Sequence, residues 1–235
     1  MSLTGETFWI TGASRGIGKA IAEELVRCGA RVVLSARSAE TLQHLADTLG
    51  AAAMVVPCDV SDPQQVQQAY RQMETAGWQP TGLVNNAGIG NFQPFTELPL
   101  EAVQAMVAVN LLGAMYCTAA VLPSMLERKQ GTIVNILSVA AVTPFRHATV
   151  YGATKAGLQM FADALRAEVR SEGIRVINVL PGATATDIWS PEVLERYQAQ
   201  MMSPTSVASA VVALLQLPAD SHPEMLILRP GQGDL

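Results

Sequence analysis

Short runs of β-branched and other apolar residues recur along the whole chain, each followed by a longer stretch with helical periodicity. This alternation limits the fold more than any other feature. The runs are TFWIT at 7–11, ARVVLSA at 30–36, AMVVPC at 53–58, GLVNNA at 82–87, GTIVNILS at 131–138, IRVINVL at 174–180 and EMLILR at 224–229. Most are apolar on both faces, which suits strands of a buried parallel sheet better than a half-solvated antiparallel one. Helical patterns lie between them at about 16–28, 39–49, 63–76, 100–128, 150–172 and 204–217. Seven strands alternating with six helices predict an α/β fold. It is a Rossmann-like, doubly wound sheet of about seven parallel strands with helices on both faces, three layers in all.

The 235 residues suffice for one large domain spanning 1–235, and no linker, low-complexity stretch or internal repeat divides them. Only 15% of residues are charged while 49% are hydrophobic, against about 25% charged in an average domain. A large core is expected, with further apolar surface buried between subunits. The net charge of −5 argues against nucleic acid as a partner, since phosphate binding needs a basic face. The start, MSLTGETFWITGAS, lacks the basic segment and long apolar run of a signal peptide. The longest apolar stretches are broken by Asn, Gly, Pro or charge short of the roughly 20 residues of a bilayer span, so no membrane partner is expected. Cys28, Cys58 and Cys117 contain no CxxC pair. They read as reduced core thiols of a cytoplasmic protein, and no metal is expected.

One stretch departs from the alternation. Between the strand at 174–180 and the helix at 204–217 stand 23 residues, PGATATDIWSPEVLERYQAQMMS. So long a connection in a compact domain is usually functional. It follows the carboxyl end of a strand, where open α/β sheets bind ligands, and 186–204 is expected to form a substrate lid.

The first strand runs into TGASRGIGKAIAEEL, with Gly12, Gly16 and Gly18 at the strand-to-helix turn. Small residues there let backbone approach a phosphate, and the helix N-terminus supplies free N–H groups and positive dipole. The G-x-x-x-G-x-G spacing differs from the commoner dinucleotide fingerprint, and a tight turn alone could require it. Its place at the first β–α turn favours the dinucleotide. In NAD binders an acid at the end of the second strand holds the ribose 2′-OH. Here that strand ends Ser35, Ala36, Arg37, the first acid is Glu40, and Arg15 lies in the glycine turn. Two guanidinium groups without an acid favour a phosphate dianion, hence NADP(H). Two solvated surface arginines are the plainer alternative.

In VYGATKAGL, Tyr151 and Lys155 stand four apart and share a helix face. Taken together, TGASRGIG (11–18), NNAG (85–88), Asn110, Ser138, YGATK (151–155) and PG (181–182) resemble the short-chain dehydrogenase/reductase family over nearly the whole chain, in its single-domain form. The resemblance implies a catalytic set of Asn110, Ser138, Tyr151 and Lys155. A free phenol has a pKa of about 10, and a nearby ammonium with the oxidised nicotinamide would pull it down. Tyr151 would then pass a proton to a carbonyl oxygen as hydride arrives from NADPH. Ser138 would donate to that oxygen, Lys155 would also bond the nicotinamide ribose, and Asn110 would hold a water leading from Lys155 to solvent. The implied cofactor contacts are Gly12, Ser14, Arg15, Gly16, Ile17, Gly18 and Arg37, then Asp59 and Val60 at the adenine, and Asn86, Ala87 and Gly88 beneath the adenosine ribose. Tyr151, Lys155, Pro181, Gly182, Thr184 and Thr186 complete them at the nicotinamide. Thr184 departs from the aliphatic residue more usual there, and Leu137 stands where a second Ser is common.

Substrate contacts are expected from Ala140, Phe145, His147, Ile188 and Trp189, with Val139, Pro144, Met201 and Met202 nearby. The set is apolar and has no Arg or Lys cluster, which favours a neutral, apolar or aromatic carbonyl compound over a phosphate or carboxylate. The C-terminus, HPEMLILRPGQGDL, lacks the T-G-x-x-x-x-V-D/N-G-G segment of the 3-oxoacyl-carrier-protein reductases. It looks more like the subgroup acting on small ketones, aldehydes and 3-hydroxy/3-oxo acids with NADP. The oxoacyl reductase is the runner-up, and a non-catalytic NADP sensor is the reading of another class. Met106, Leu111, Met115, Leu158, Phe161 and Leu165 are expected to face outward on helices 100–128 and 150–172. Family members pair through these helices, so a homodimer or homotetramer is expected.

Overall fold

The run TFWIT becomes β1 (Thr7–Thr11), buried along its whole length in the interior of the sheet. β1 pairs in parallel with β2 (Arg31–Ser35) on one side and β4 (Gly82–Asn85) on the other. β3 (Ala53–Val55) continues beyond β2, and β5 (Gly131–Ile136), β6 (Ile174–Pro181) and β7 (Met225–Leu228) continue beyond β4. The seven strands are all parallel in the order β3-β2-β1-β4-β5-β6-β7. The order reverses between β1 and β4, so the strand ends there open a crevice at the carboxyl edge of the sheet. The structure, a computed structural model, describes residues 2–218 and 220–234.

Helices cover both faces, and each face has its own core. On one, α1 (Gly16–Arg27), α2 (Ala39–Leu49) and α8 (Pro204–Leu215) bury Ile21, Leu25, Leu42 and Val211 against Val32, Leu34 and Ile177. On the other, α3 (Pro63–Thr75), α5 (Gly113–Arg128) and α6 (Thr149–Val169) bury Met73, Val121, Met125 and Leu165 against Trp9, Leu83 and Ile133. Several helices start on a side-chain cap followed by Pro, as Asp62–Pro63 and Ser203–Pro204 do. Such a pair satisfies orphan amides and presets φ. α1 is different. Its N-cap is Arg15, whose side chain makes no capping bond, so its first amides are open to a ligand.

The element order follows the sequence reading with four corrections. The helix expected at 100–128 is divided into α4 (Leu100–Val107), a π-helical turn at Ala108–Leu112, and α5. The run Leu100–Arg128 contains an 18-residue window with a mean hydropathy of 1.9, enough by length and composition alone to span a bilayer. As the sequence reading has it, Asn110, Gly113 and Pro123 interrupt this run. Its inward residues, Met106, Cys117, Val121 and Met125, are packed in the protein core instead. The 23-residue connection contains α7 (Pro191–Tyr197), started by Ser190 and Pro191. Both sheet edges are only partly covered: β3 is half-buried, and β7 alternates exposed with half-buried residues rather than being apolar on two buried faces. Cys58 and Cys117 are buried thiols as expected, whereas Cys28 is half-buried at the end of α1.

Candidate active site

A cleft of about 1240 Å³ opens along the carboxyl edge of the sheet. That exceeds the usual size for one small ligand and suits a dinucleotide with a substrate beside it. Its floor is built by glycines. Gly12 has φ +64, and a Cβ there would stand 2.8 Å from Ala87 Cα. A Cβ on Gly18 would stand 2.4 Å from both the Gly12 carbonyl oxygen and Asn86 Nδ2. Bare backbone therefore lets the β1–α1 turn close on the end of β4. Asn86 fastens the two by donating from Nδ2 to the carbonyls of Thr11 (3.0 Å) and Gly12 (3.1 Å). Thr11 Oγ1 accepts from the amides of Asn86 and Ala87, both at 3.1 Å.

Ser14, Arg15, Gly16 and Ile17 line this end of the cleft, where the open amides of α1 begin. Arg37 lines it from the end of β2. Arg15 Nη1 lies 3.4 Å from Asp187 Oδ2, an exposed pair joining the glycine turn to the long connection. Asp59 and Val60 also line the wall. Asp59 Oδ1 is oriented by the Ser61 amide (3.0 Å) and hydroxyl (2.7 Å).

The chemical groups meet midway along the cleft. Ser138 follows β5, while Tyr151 and Lys155 come from the first turns of α6; all three line the cavity. Lys155 is buried and donates from Nζ to the Ile136 carbonyl at 2.8 Å. Its Nζ stands 5.7 Å from the centroid of the Tyr151 ring. Burial pushes the Lys155 pKa down to about 8. The Tyr151 phenol is pushed up to about 12, chiefly by burial, with a hydrogen bond to Ser138 acting the other way. Burial dominates at the phenol, and lowering it calls for the oxidised nicotinamide as well as the ammonium.

Two of the expected contact residues stand behind the wall rather than on it. Gly18 is packed under the glycine turn, as described above. Asn110 lies in the π turn, almost fully buried, and accepts from the Ile89 amide at 2.8 Å. Its Nδ2 donates to the Ile89 carbonyl (2.9 Å) and to Thr154 Oγ1 (3.1 Å). It thus braces the Gly88–Ile89 backbone against α6, one residue from Lys155. Every other expected cofactor and substrate position lines the cleft: Gly12, Ser14, Arg15, Gly16, Ile17, Arg37, Asp59, Val60, Asn86, Ala87, Gly88, Ser138, Ala140, Phe145, His147, Tyr151, Lys155, Pro181, Gly182, Thr184, Thr186, Ile188 and Trp189. Pro144, Met201 and Met202 do not line it.

The far end is closed by aromatic rings. Trp189 Nε1 donates to the Thr184 carbonyl at 3.0 Å, and its ring stacks on Phe92 with centroids 5.2 Å apart. Phe92 meets Tyr151 edge-on at 5.3 Å. Thr184 is bridged to Met202, so the two ends of the long connection are joined at its root. Phe92, Arg146 and Asp234 also line this end. Sequence reasoning missed all three, because each comes from a separate connection and none has a motif of its own.

The short chain dehydrogenase family model matches residues 6–196. Sepiapterin reductase from Chlorobaculum tepidum is 34% identical over 236 residues, covering 96% of each chain. Ketoacyl reductase HetN from Nostoc sp. is 36% identical, covering 92% of this chain and 77% of that protein. Among solved structures, the closed form of serine dehydrogenase complexed with NADP+ superposes with a TM-score of 0.93 at 30% identity, covering 97% of this chain and 96% of that one.

Proposed function

The chain belongs to the short-chain dehydrogenase/reductase family, a family of oxidoreductases, and on that premise we propose that it is an NADPH-dependent reductase turning a ketone or aldehyde into an alcohol. The observation that carries this reading is the convergence of Ser138, Tyr151 and Lys155 on one cleft that begins at the open amides of α1. NADP(H) fits that cleft by its size, its glycine floor, and Arg15 and Arg37 without an acid at the end of β2. The serine dehydrogenase structure, which contains NADP+, supports the same cofactor.

When bound, NADPH supplies the hydride. The rest is done by this chain. Tyr151, with its pKa raised to about 12, holds its proton at neutral pH and donates it to the substrate oxygen. Ser138 Oγ donates a hydrogen bond to that oxygen as its charge develops. Lys155 sits on the same helix face and returns a proton to the phenolate. Asn110 positions Gly88 and Ile89 along the route from Lys155 to solvent. Segment 186–204 acts as a lid, and Trp189 is its contact with Phe92.

The test follows NADPH absorbance with a panel of diketones, aldehydes, β-keto esters and an acetoacetyl thioester. At least one should be reduced, and Tyr151→Phe should lose about a thousandfold or more of the rate while still binding NADP(H). Binding of NADP(H) with no reduction across the panel would point to a sensor. Full activity in Tyr151→Phe would overturn the mechanism. A preference for the thioester would favour an oxoacyl reductase, a second reading suggested by the 36% identity to ketoacyl reductase HetN. The protein is further proposed to act as a homodimer or homotetramer in the cytoplasm, where its free thiols suit a reducing compartment.

A further inference from the structure

The substrate end of the cleft holds a cation that the reaction above leaves unused. The basic residues lining the cavity are Arg15, Arg37, His147, Arg146 and Lys155. Lys155 is held by the Ile136 carbonyl and Arg15 by Asp187, and Arg37 stands at the opposite end beside the glycine turn. Arg146 lies on the loop from Ser138 to Tyr151. It is exposed, and among the described residues it has no ion pair or side-chain hydrogen bond. The carboxylates lining the same cavity are occupied: Asp234 by Arg229, Asp187 by Arg15, and Asp59 by Ser61. Among the described residues, no carboxylate neutralises Arg146.

The backbone presents this residue deliberately. The Ala148 amide donates to the Phe145 carbonyl at 3.3 Å, closing a four-residue turn with Arg146 and His147 at its corners. His147 has φ +65. A positive φ at the third position is the demand of a type II turn, which glycine meets without strain. A histidine there costs backbone energy, and such strain tends to persist where the side chain is used. Both corner residues border the cavity, and Phe92, Ala140, Ile188 and Trp189 give it an apolar lining.

We propose that Arg146 and His147 form an anion-recognition corner, so that the substrate carries a carboxylate a few atoms from its reacting carbonyl. The substrate class is an oxo acid, and the product the matching hydroxy acid. The guanidinium donates charge-assisted hydrogen bonds to the carboxylate, and the apolar lining covers the carbons between carboxylate and carbonyl. A phosphate dianion is matched less well by a single free guanidinium. This revises the expectation of a neutral substrate drawn from the apolar lining and sides with the acids among the substrates of the resembling subgroup: the described residues hold no basic cluster there, but Arg146 is unpaired. The inference rests on the reductase reading.

The experiment compares 2-oxobutyrate and 3-oxobutyrate with their amides, using wild type, Arg146→Gln and His147→Gly with NADPH. Wild type should favour the acids by about tenfold or more in kcat/KM, the scale of one hydrogen bond to a charged group. Arg146→Gln should lower kcat/KM for the acids about tenfold more than for the amides, mainly through KM. His147→Gly should melt at a higher temperature yet weaken the preference for acids. Equal wild-type rates for acid and amide, or equal losses in Arg146→Gln, overturn the proposal. Calorimetric binding of butyrate and butyramide to the NADP+-loaded protein separates the two readings. Arg146-dependent butyrate binding without reduction of any carbonyl upholds the anion corner and overturns the reductase. Reduction without discrimination does the reverse, and absence of both overturns both.

Discussion

Lys155 shows at the scale of one residue how the site is set against the fold. Its ammonium is almost fully buried with a single hydrogen bond, to the Ile136 carbonyl, and burial lowers its pKa from 10.5 to about 8. Between those values the unfolded chain holds a proton that the folded chain has released, so stability rises with pH across that window. Below about 8 the full cost is present, roughly 3 kcal/mol. Lys155→Met keeps the apolar stem and removes the charge, but orphans the Ile136 carbonyl, which costs about 1–2 kcal/mol. The variant should therefore be inactive yet more stable than wild type at pH 7 by about 1–2 kcal/mol, with the advantage gone by about pH 10. Calorimetry at the two pH values checks this, and a variant less stable at pH 7 would show that the hydrogen bond dominates. The same burial fixes the pH profile of the wild type. Tyr151 stays protonated far above neutrality, so reduction should decline as pH rises through about 8, where Lys155 loses its charge.

At the scale of elements, the turn at Ala108–Leu112 matters most, because an α-helix would not place Asn110 where the π turn does. One side chain there satisfies both the amide and the carbonyl of Ile89 and reaches Thr154 on α6. Asn110→Ala should cost about 2–4 kcal/mol through two orphaned backbone groups. It should also slow catalysis without matching the loss in Tyr151→Phe. Thermal melts and NADPH kinetics on the two variants measure this, and an Asn110→Ala protein with wild-type stability would mean water replaces the side chain. The strands were legible because a parallel sheet buried on both faces imposes unbroken apolar runs, as in TFWIT and GTIVNI. The π turn was not, since AVNLLGAM has the composition of ordinary helix. α7 carried a readable signal in Ser190–Pro191–Glu192 that its short length of seven residues obscured. The cofactor end of the site lies in short contiguous motifs at the ends of β1, β4 and β6, with Arg37 and Asp59 just after β2 and β3. The substrate end is assembled from Phe92, Arg146, Trp189 and Asp234, whose meeting depends on the path of four separate connections.

For the whole molecule, the question is where the remaining apolar surface goes. Met106, Leu158 and Leu165, expected to face outward, are buried within the chain, and Leu111, Met115 and Phe161 are half-buried. The exposed apolar side chains among the described residues are others: Phe95 in the turn before α4, Leu100 at its start, Val142, Met160 on α6, Leu217 after α8, and Met225 and Ile227 on the β7 edge. α4 and α6 lie against each other, so the helix pair and the sheet edge are separate candidates for the contact between copies. Met160, 69% exposed midway along the 21-residue α6, has no polar role to keep it there. Burying such a side chain contributes about 1.5–3 kcal/mol, and a two-fold interface counts it twice. Met160→Glu should therefore weaken a helix-paired dimer by about two orders of magnitude or more while leaving the melting of the monomer fold intact. Sedimentation equilibrium of wild type, Met160→Glu and Ile227→Lys distinguishes the faces. A fall in mass with Met160→Glu places the contact on the helices. A fall only with Ile227→Lys places it on β7, whose unpaired backbone edge invites a partner. A wild type that sediments as a monomer would end the oligomer proposal.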